Sequence, residues 1–399
     1  MKPMYIHKKH VSKDKIFHEI NSPGFTKNTV SIQYNVGSIH DPKGKEGLTH
    51  LIEHLLFKNK NQNEKNIDRE KKGLSVYAYT YKEKTIFTAS SYLLKQEDIL
   101  KELFNTLNFN FSEKDFKNEL EVIKSEISEK KSDNSDEVYD KFLIEYIKYN
   151  KDLKKYKHPV IGVEKNIKNI SFNDIKEHIK KYYGSPVVTL TSSDKLGSPV
   201  VEKIFEIIPS NIMLSSVNNK NQVLQYMIFD FNIKNTQVFA IGIKGGELIK
   251  RSLFLSLLRD YLGNNWSSVC NQEFRVKNQL AYYVNSTLQS LENFSILYTY
   301  CNVSKKNIKK VKQIYNKIIK NILTEDIEED TFIATKNMLL TYLYDLAKGE
   351  DDVLEDFLWF NKTNVEDEVY TLNEYIESLN DFTLRDFKKS IKDMEAVLR

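Results

Sequence analysis

The sequence predicts an α+β protein of two similar domains, each a largely antiparallel sheet covered by helices. Three observations lead there. Strand-like and helix-like patterns are mixed without the strict βαβ alternation of a parallel sheet. Their order recurs in the two halves, although the halves share negligible sequence identity. The 399 residues, 40% of them apolar, suffice for two cores of ordinary size. Between the halves lies PSNIMLSSVNNKNQ (209–222), where serine and asparagine dominate without an apolar period. The domains are therefore drawn as 1–209 and 221–399, with 210–220 as linker.

In the first half, TVSIQYNVGS alternates as a strand with one buried face. An apolar-periodic helix follows over about 46–58, then LSVYAYTYKEKTIFTASSYL, whose aromatic and β-branched residues around a polar turn read as a hairpin. Helical patterns cover about 96–109 and 113–150; beyond HPVIG come a short helix, the strand SPVVTLTSS and a helix near 200–207. The second half repeats the order. Strands QVLQYMIFDFNI and TQVFAIGIKGG precede a helix over about 247–262 and another through Phe274. Two more strands, LAYYVNSTLQSL and FSILYTYCNV, lead into long helices to the end.

Composition bounds the function. Lysine and arginine total 59 against 55 acidic residues, and the signs are interspersed, which gives weak grounds for a nucleic-acid or membrane-surface partner. Cys270 and Cys301 make neither a disulfide framework nor a metal pair and read as packed thiols of a reducing compartment. The start lacks the apolar core of a signal peptide and no run approaches a membrane span, so a cytoplasmic, soluble protein is expected. His7 and His10, near the amino terminus, are expected at the surface.

The chemistry concentrates in THLIEHLLF (49–57). On a helix, His50 and His54 stand one turn apart on one side, with Glu53 close by. Two neutral imidazoles at this spacing suit zinc, which in a catalytic site needs a third protein ligand and keeps one position for water. Histidine pairs at i and i+4 are common by chance. Glu53 changes the balance, because a carboxylate on an apolar helix face is costly unless paired or ligated. The pattern H-x-x-E-H reverses the commoner H-E-x-x-H signature. Candidates for the third ligand lie in NELEVIKSEISEKK, where Glu119 and Glu126 are two turns apart and flank Val122 and Ile123.

GSIHDPKGKEGLTHLIEHLLFKNK, followed 72 residues after His54 by Glu126, resembles the inverted-motif zinc peptidases of the pitrilysin, insulin-degrading enzyme and mitochondrial processing peptidase family. The resemblance implies one zinc per chain held by His50, His54 and Glu126, with Glu53 as general base and Glu119 as an outer-shell carboxylate. YAYTYKEKTIF looks like the family's active-site edge strand, which makes Tyr77, Ala78 and Tyr79 substrate-binding residues through strand addition. Tyr77 stands where the family usually has asparagine. KHPVIG is similar to the element after the third-ligand helix, and FRVKNQLAYYV to the substrate-holding segment, with Arg275 holding substrate carbonyls and Tyr282 donating to the oxyanion.

The expected activity is thus a zinc metalloendopeptidase hydrolysing extended peptides or processing a peptide precursor. The alternatives are a non-catalytic or weakly active partner subunit of a heterodimeric peptidase of that family, and a lysine-rich nucleic-acid binder. In the family's double-length members the zinc motif lies in the first domain and the arginine–tyrosine segment in the fourth. This chain carries both in two domains, so the resemblance implies a homodimer with composite active sites, or a heterodimer with a related chain.

Overall fold

A computed structural model describes residues 5–58, 62–107, 109–130, 143–144, 147–148, 151–210, 224–233, 236–244, 248–291, 294–360 and 371–396. The expected linker 210–220, apart from Ser210, and most of the helix expected over 131–150 lie outside them. The chain forms two compact units, the first of Met1–Leu143, Asn150–Ser216 and Leu346–Asn373, the second of Ile144–Tyr149, Val217–Asp345 and Glu374–Arg399. No helix among the described residues is long and apolar enough to cross a membrane.

The first unit is built on six strands: β1 (Ile6–Ser12), β2 (Lys15–Asn21), β3 (Asn28–Tyr34), β4 (Ser75–Thr80), β5 (Thr85–Ser91) and β6 (Val187–Ser192). Their order is β1-β2-β6-β3-β5-β4, with only β2 and β6 parallel. Four helices lie early in this unit: α1 (Leu48–Leu56), α2 (Gln62–Lys71), α3 (Gln96–Thr106) and α4 (Glu113–Lys130). One sheet face supplies Val30, Ile32, Phe87, Ala89 and Leu190 to a core completed by Leu51, Ile52 and Leu55 of α1, Leu103 of α3 and Ile123 of α4. The second unit has β7 (Gln225–Ile233), β8 (Thr236–Lys244), β9 (Val284–Ser290), β10 (Phe294–Asn302) and β11 (Glu395–Ala396). Their order is β11-β7-β8-β10-β9, with only β11 and β7 parallel.

Three sequence expectations change. The amino-terminal segment is not an exposed tail: it is β1, paired along its length with β2. His10 is buried against Glu19 (2.5 Å), and His7 lies 3.1 Å from His18. The run of lysines and histidines in IHKKHVS hid an edge strand. Strand β3 is buried on both faces rather than one. Its Val30, Ile32 and Tyr34 enter the core, and the opposite face is covered by the helix Glu350–Phe360, whose Asp351 accepts a hydrogen bond from Thr29 (3.2 Å).

That helix belongs to the first unit, although sequence places it in the second domain. Leu354 and Leu358 cluster with Ile86, Asp351 pairs with Lys27 (2.5 Å), and Lys84 donates to the Leu358 carbonyl (2.7 Å). Nothing in the local pattern of GEDDVLEDFLWF distinguishes a helix that returns to an earlier sheet from one that stays with its neighbours.

Candidate metal centre

The motif helix is held at its amino terminus by a residue outside it. Asp41 accepts from the backbone N–H of Gly47 (2.7 Å) and Thr49 (2.9 Å) and from the Thr49 hydroxyl (2.6 Å). It thus satisfies donors that the first turn leaves open and places negative charge at the positive end of the helix. Burial pushes its pKa up to about 6, against the pull of those three hydrogen bonds. Gly47 has φ +104° and Gly162 φ +88°, and a Cβ on either would run into the backbone of the other's segment. Glycine is required at both positions for KEG and HPVIG to meet. The loop before Gly162 is fixed in turn by Lys82, buried and donating to the carbonyls of Tyr156 and His158.

Because α1 buries Leu51, Ile52, Leu55 and Leu56, the helical period leaves His50, Glu53 and His54 on its other side. Across from them α4 buries Ile123 and Ile127 and brings up Glu119 and Glu126; Val122, expected in the apolar stripe, is exposed. Glu126 Oε2 lies 3.9 Å from His50 Nε2 and 3.7 Å from His54 Nε2. One ligand atom from each of these three residues falls within 4.8 Å of the others, and no other such group of three occurs among the described residues. Two imidazole nitrogens and a carboxylate suit zinc, and three protein ligands leave a coordination position open.

The surroundings orient this set. Glu119, 2% exposed, lies 3.1 Å from His54 Nδ1 and 2.7 Å from Lys58 Nζ. A carboxylate on Nδ1 fixes the tautomer that leaves Nε2 free for metal. Burial opposes ionisation of Glu119, yet its bonds to His54 and Lys58 hold its pKa below the usual value. Burial would lower the His54 pKa, but Glu119, Glu53 and Glu126 together raise it. Glu53 is not in the ligand group. Thr80 donates to its Oε2 (2.7 Å), and burial raises its pKa despite that bond and nearby His54.

Thr80 ends β4, which pairs only with β5 among the described residues. Ala78 packs on the core side, the side of Thr80 and Glu53. Tyr77, Tyr79 and Tyr81 form a ladder with ring centroids 5.6 and 6.2 Å apart, and alternation puts it on the opposite face. In the second unit, Arg275 lies on a π-helical turn (Gln272–Lys277), its Cζ 4.7 Å from the Tyr282 ring centroid.

Sequence reading missed Asp41, Lys58 and Thr80. Lys58 could have been found, since 50, 54 and 58 continue one helical line, and Thr80 shares strand parity with Ala78. Asp41 sits in a loop without a period.

Fold and matched domains together define the class, and the chain belongs to peptidase family M16. Residues 18–156 match Insulinase (Peptidase family M16) and residues 169–339 match Peptidase M16 inactive domain. An uncharacterized zinc protease of Rickettsia felis (strain ATCC VR-1525 / URRWXCal2) is 26% identical over 341 residues, covering 81% of this chain and 79% of that protein. The mitochondrial-processing peptidase subunit beta of Mus musculus is 20% identical over 84% of this chain and 71% of its own. The crystal structure of a protease from Helicobacter pylori superposes with a TM-score of 0.77 at 19% identity, covering 97% of this chain and 96% of that one. The two-unit chain is therefore a half-length fold of the family.

Proposed function

We propose that the protein is a zinc-dependent endopeptidase acting on extended peptides or on a peptide precursor. The observation that carries this reading is the convergence of His50, His54 and Glu126, with Glu53 beside them and outside the ligand group. When bound, zinc supplies Lewis acidity and a water acidic enough to act near neutral pH. Glu53, its affinity for protons raised by burial, takes the proton of the attacking water and returns it to the leaving amine. Thr80 holds that carboxylate in place from the strand that pairs with substrate. Substrate adds to the edge of β4 that has no partner strand among the described residues, so only an extended backbone can be cut. Tyr282 donates to the developing oxyanion and Arg275 holds substrate carbonyls.

The dimer rests on the resemblance: in the family's double-length members the zinc motif and the arginine–tyrosine segment come from the first and fourth domains, so two copies of this two-unit chain would form composite sites. The purified protein should contain one zinc per chain, lose it in His54→Ala, and cut unstructured peptides while sparing stably folded proteins. Full activity without zinc would refute the reading. Chains carrying Glu53→Gln and chains carrying Tyr282→Phe should each be nearly inactive, yet regain roughly a quarter of wild-type activity once subunits exchange, because half the dimers are mixed and half their sites intact. A partner-subunit role is the second reading, supported by the match of residues 169–339 to the inactive domain. A zinc-loaded wild type that cleaves nothing would favour it.

A further inference from the structure

We infer that Trp266 is the positioning residue for Arg275, holding its guanidinium ready for a substrate carbonyl; the inference rests on the peptidase reading above. Trp266 is 63% exposed, an unusual place for the largest apolar side chain, and the Arg275 Cζ lies 5.1 Å from its ring centroid. The same Cζ is 4.7 Å from Tyr282, itself 82% exposed. One cation is thus shared by two aromatic rings at the surface. Neither contact consumes an N–H donor. Among the described residues no hydrogen bond or ion pair claims the donors of Arg275, so its forked edge remains free to bind a carbonyl or carboxylate.

The backbone shows the arrangement to be constructed. The Gln272 side chain donates to the Trp266 carbonyl (2.6 Å) and Asn271 donates to the Asn265 carbonyl (3.2 Å). These donors flank or begin the π-helical turn that carries Arg275, so loop and turn are fixed to one another. On the other side the chain reverses through Gln279, with φ +51°, and Leu280 donates to the Phe274 carbonyl (2.7 Å), bringing Tyr282 back towards Arg275. A long, rotamer-rich side chain is thereby ordered before substrate arrives, which removes an entropic cost from binding.

Two readouts test this. In a Trp359→Phe background Trp266 is the sole tryptophan, and Arg275→Ala should shift its fluorescence emission. Unchanged emission would refute the stack. Trp266→Ala should lower kcat/KM on an extended peptide about five-fold, about 1 kcal/mol at about 1.4 kcal/mol per tenfold. Zinc content should be unchanged, and Trp266→Phe should recover most of the loss. In an Arg275→Ala background, Trp266→Ala should cost nothing more. A full additional loss there, or no loss in the wild-type background, would refute positioning through Arg275. If wild type cleaves no peptide, the peptidase reading and the positioning role fall together, while the emission change still reports whether the stack exists.

Discussion

Glu119 is the most informative carboxylate to change, because it touches the candidate ligand His54 without joining the ligand group. In Glu119→Ala the His54 Nδ1 loses its acceptor at 3.1 Å and Lys58 loses one ion-pair contact, at 2.7 Å. In Glu119→Gln the amide oxygen can still accept from His54, but the charge is gone and an NH2 group faces Lys58. Outer-shell partners of this kind are worth about 10- to 100-fold in metal affinity, or about 1.4 to 2.7 kcal/mol. Glutamine should fall at the lower end and alanine at the upper. In the metal-free protein, hydrogen bonds to charged groups are worth about 1.5 to 3 kcal/mol, but Lys58 is 45% exposed and its share is screened, so unfolding should ease by about 2 kcal/mol. Competition against a zinc-binding chromophore and urea titration measure the two effects. A folded Glu119→Ala protein binding zinc as tightly as wild type would refute the orienting role. Loss as complete as in His54→Ala would make Glu119 a ligand.

Glu53→Gln should keep its zinc and lose about 100- to 10,000-fold in turnover, as removal of a general base does; zinc loss on metal analysis would contradict that role. Asp41→Ala strips the acceptor from Gly47 and Thr49 and should cost about 1 to 2 kcal/mol, with faster amide exchange at those two residues; unchanged exchange would refute the cap. Acidification should destabilise the metal-free fold through two buried histidines. Burial, then nearby His7, lowers His18 to about 3, and burial, then His40 and Lys181, lowers His178 to about 4. Both stay neutral when folded while the unfolded chain takes up protons below pH 6.5, so their stability is present above that pH and lost as pH falls towards 4. From pH 6.5 to 5 each should cost about 2 kcal/mol, and His18→Gln should flatten the slope in denaturant titrations by about half of their joint contribution.

The parts legible in sequence were those written as a period. The i, i+4 histidines, the two-turn spacing of Glu119 and Glu126 and the alternation of β3 each follow from local geometry, and the α+β class followed from their order. What stayed hidden depends on partners remote in the chain. IHKKHVS declares itself a strand only once β2 pairs with it, and the polar side of β3 reads as solvent-facing until Asp351 reaches Thr29. Asp41 caps a helix that begins seven positions later, across a loop whose path sequence does not specify.

The helix Glu350–Phe360 ties the first unit to a late stretch of chain. As the protein leaves the ribosome, the six strands of that unit and its candidate metal-binding helices emerge long before the helix that shields Ile86 and the polar side of β3. The first unit receives its last segment at Asn373 and the second at Arg399, so neither can close ahead of the other by more than a few dozen residues. An expressed fragment ending at residue 209 would therefore carry all three candidate ligands on helices packed against a sheet whose other side is bare, exposed to strand exchange and aggregation.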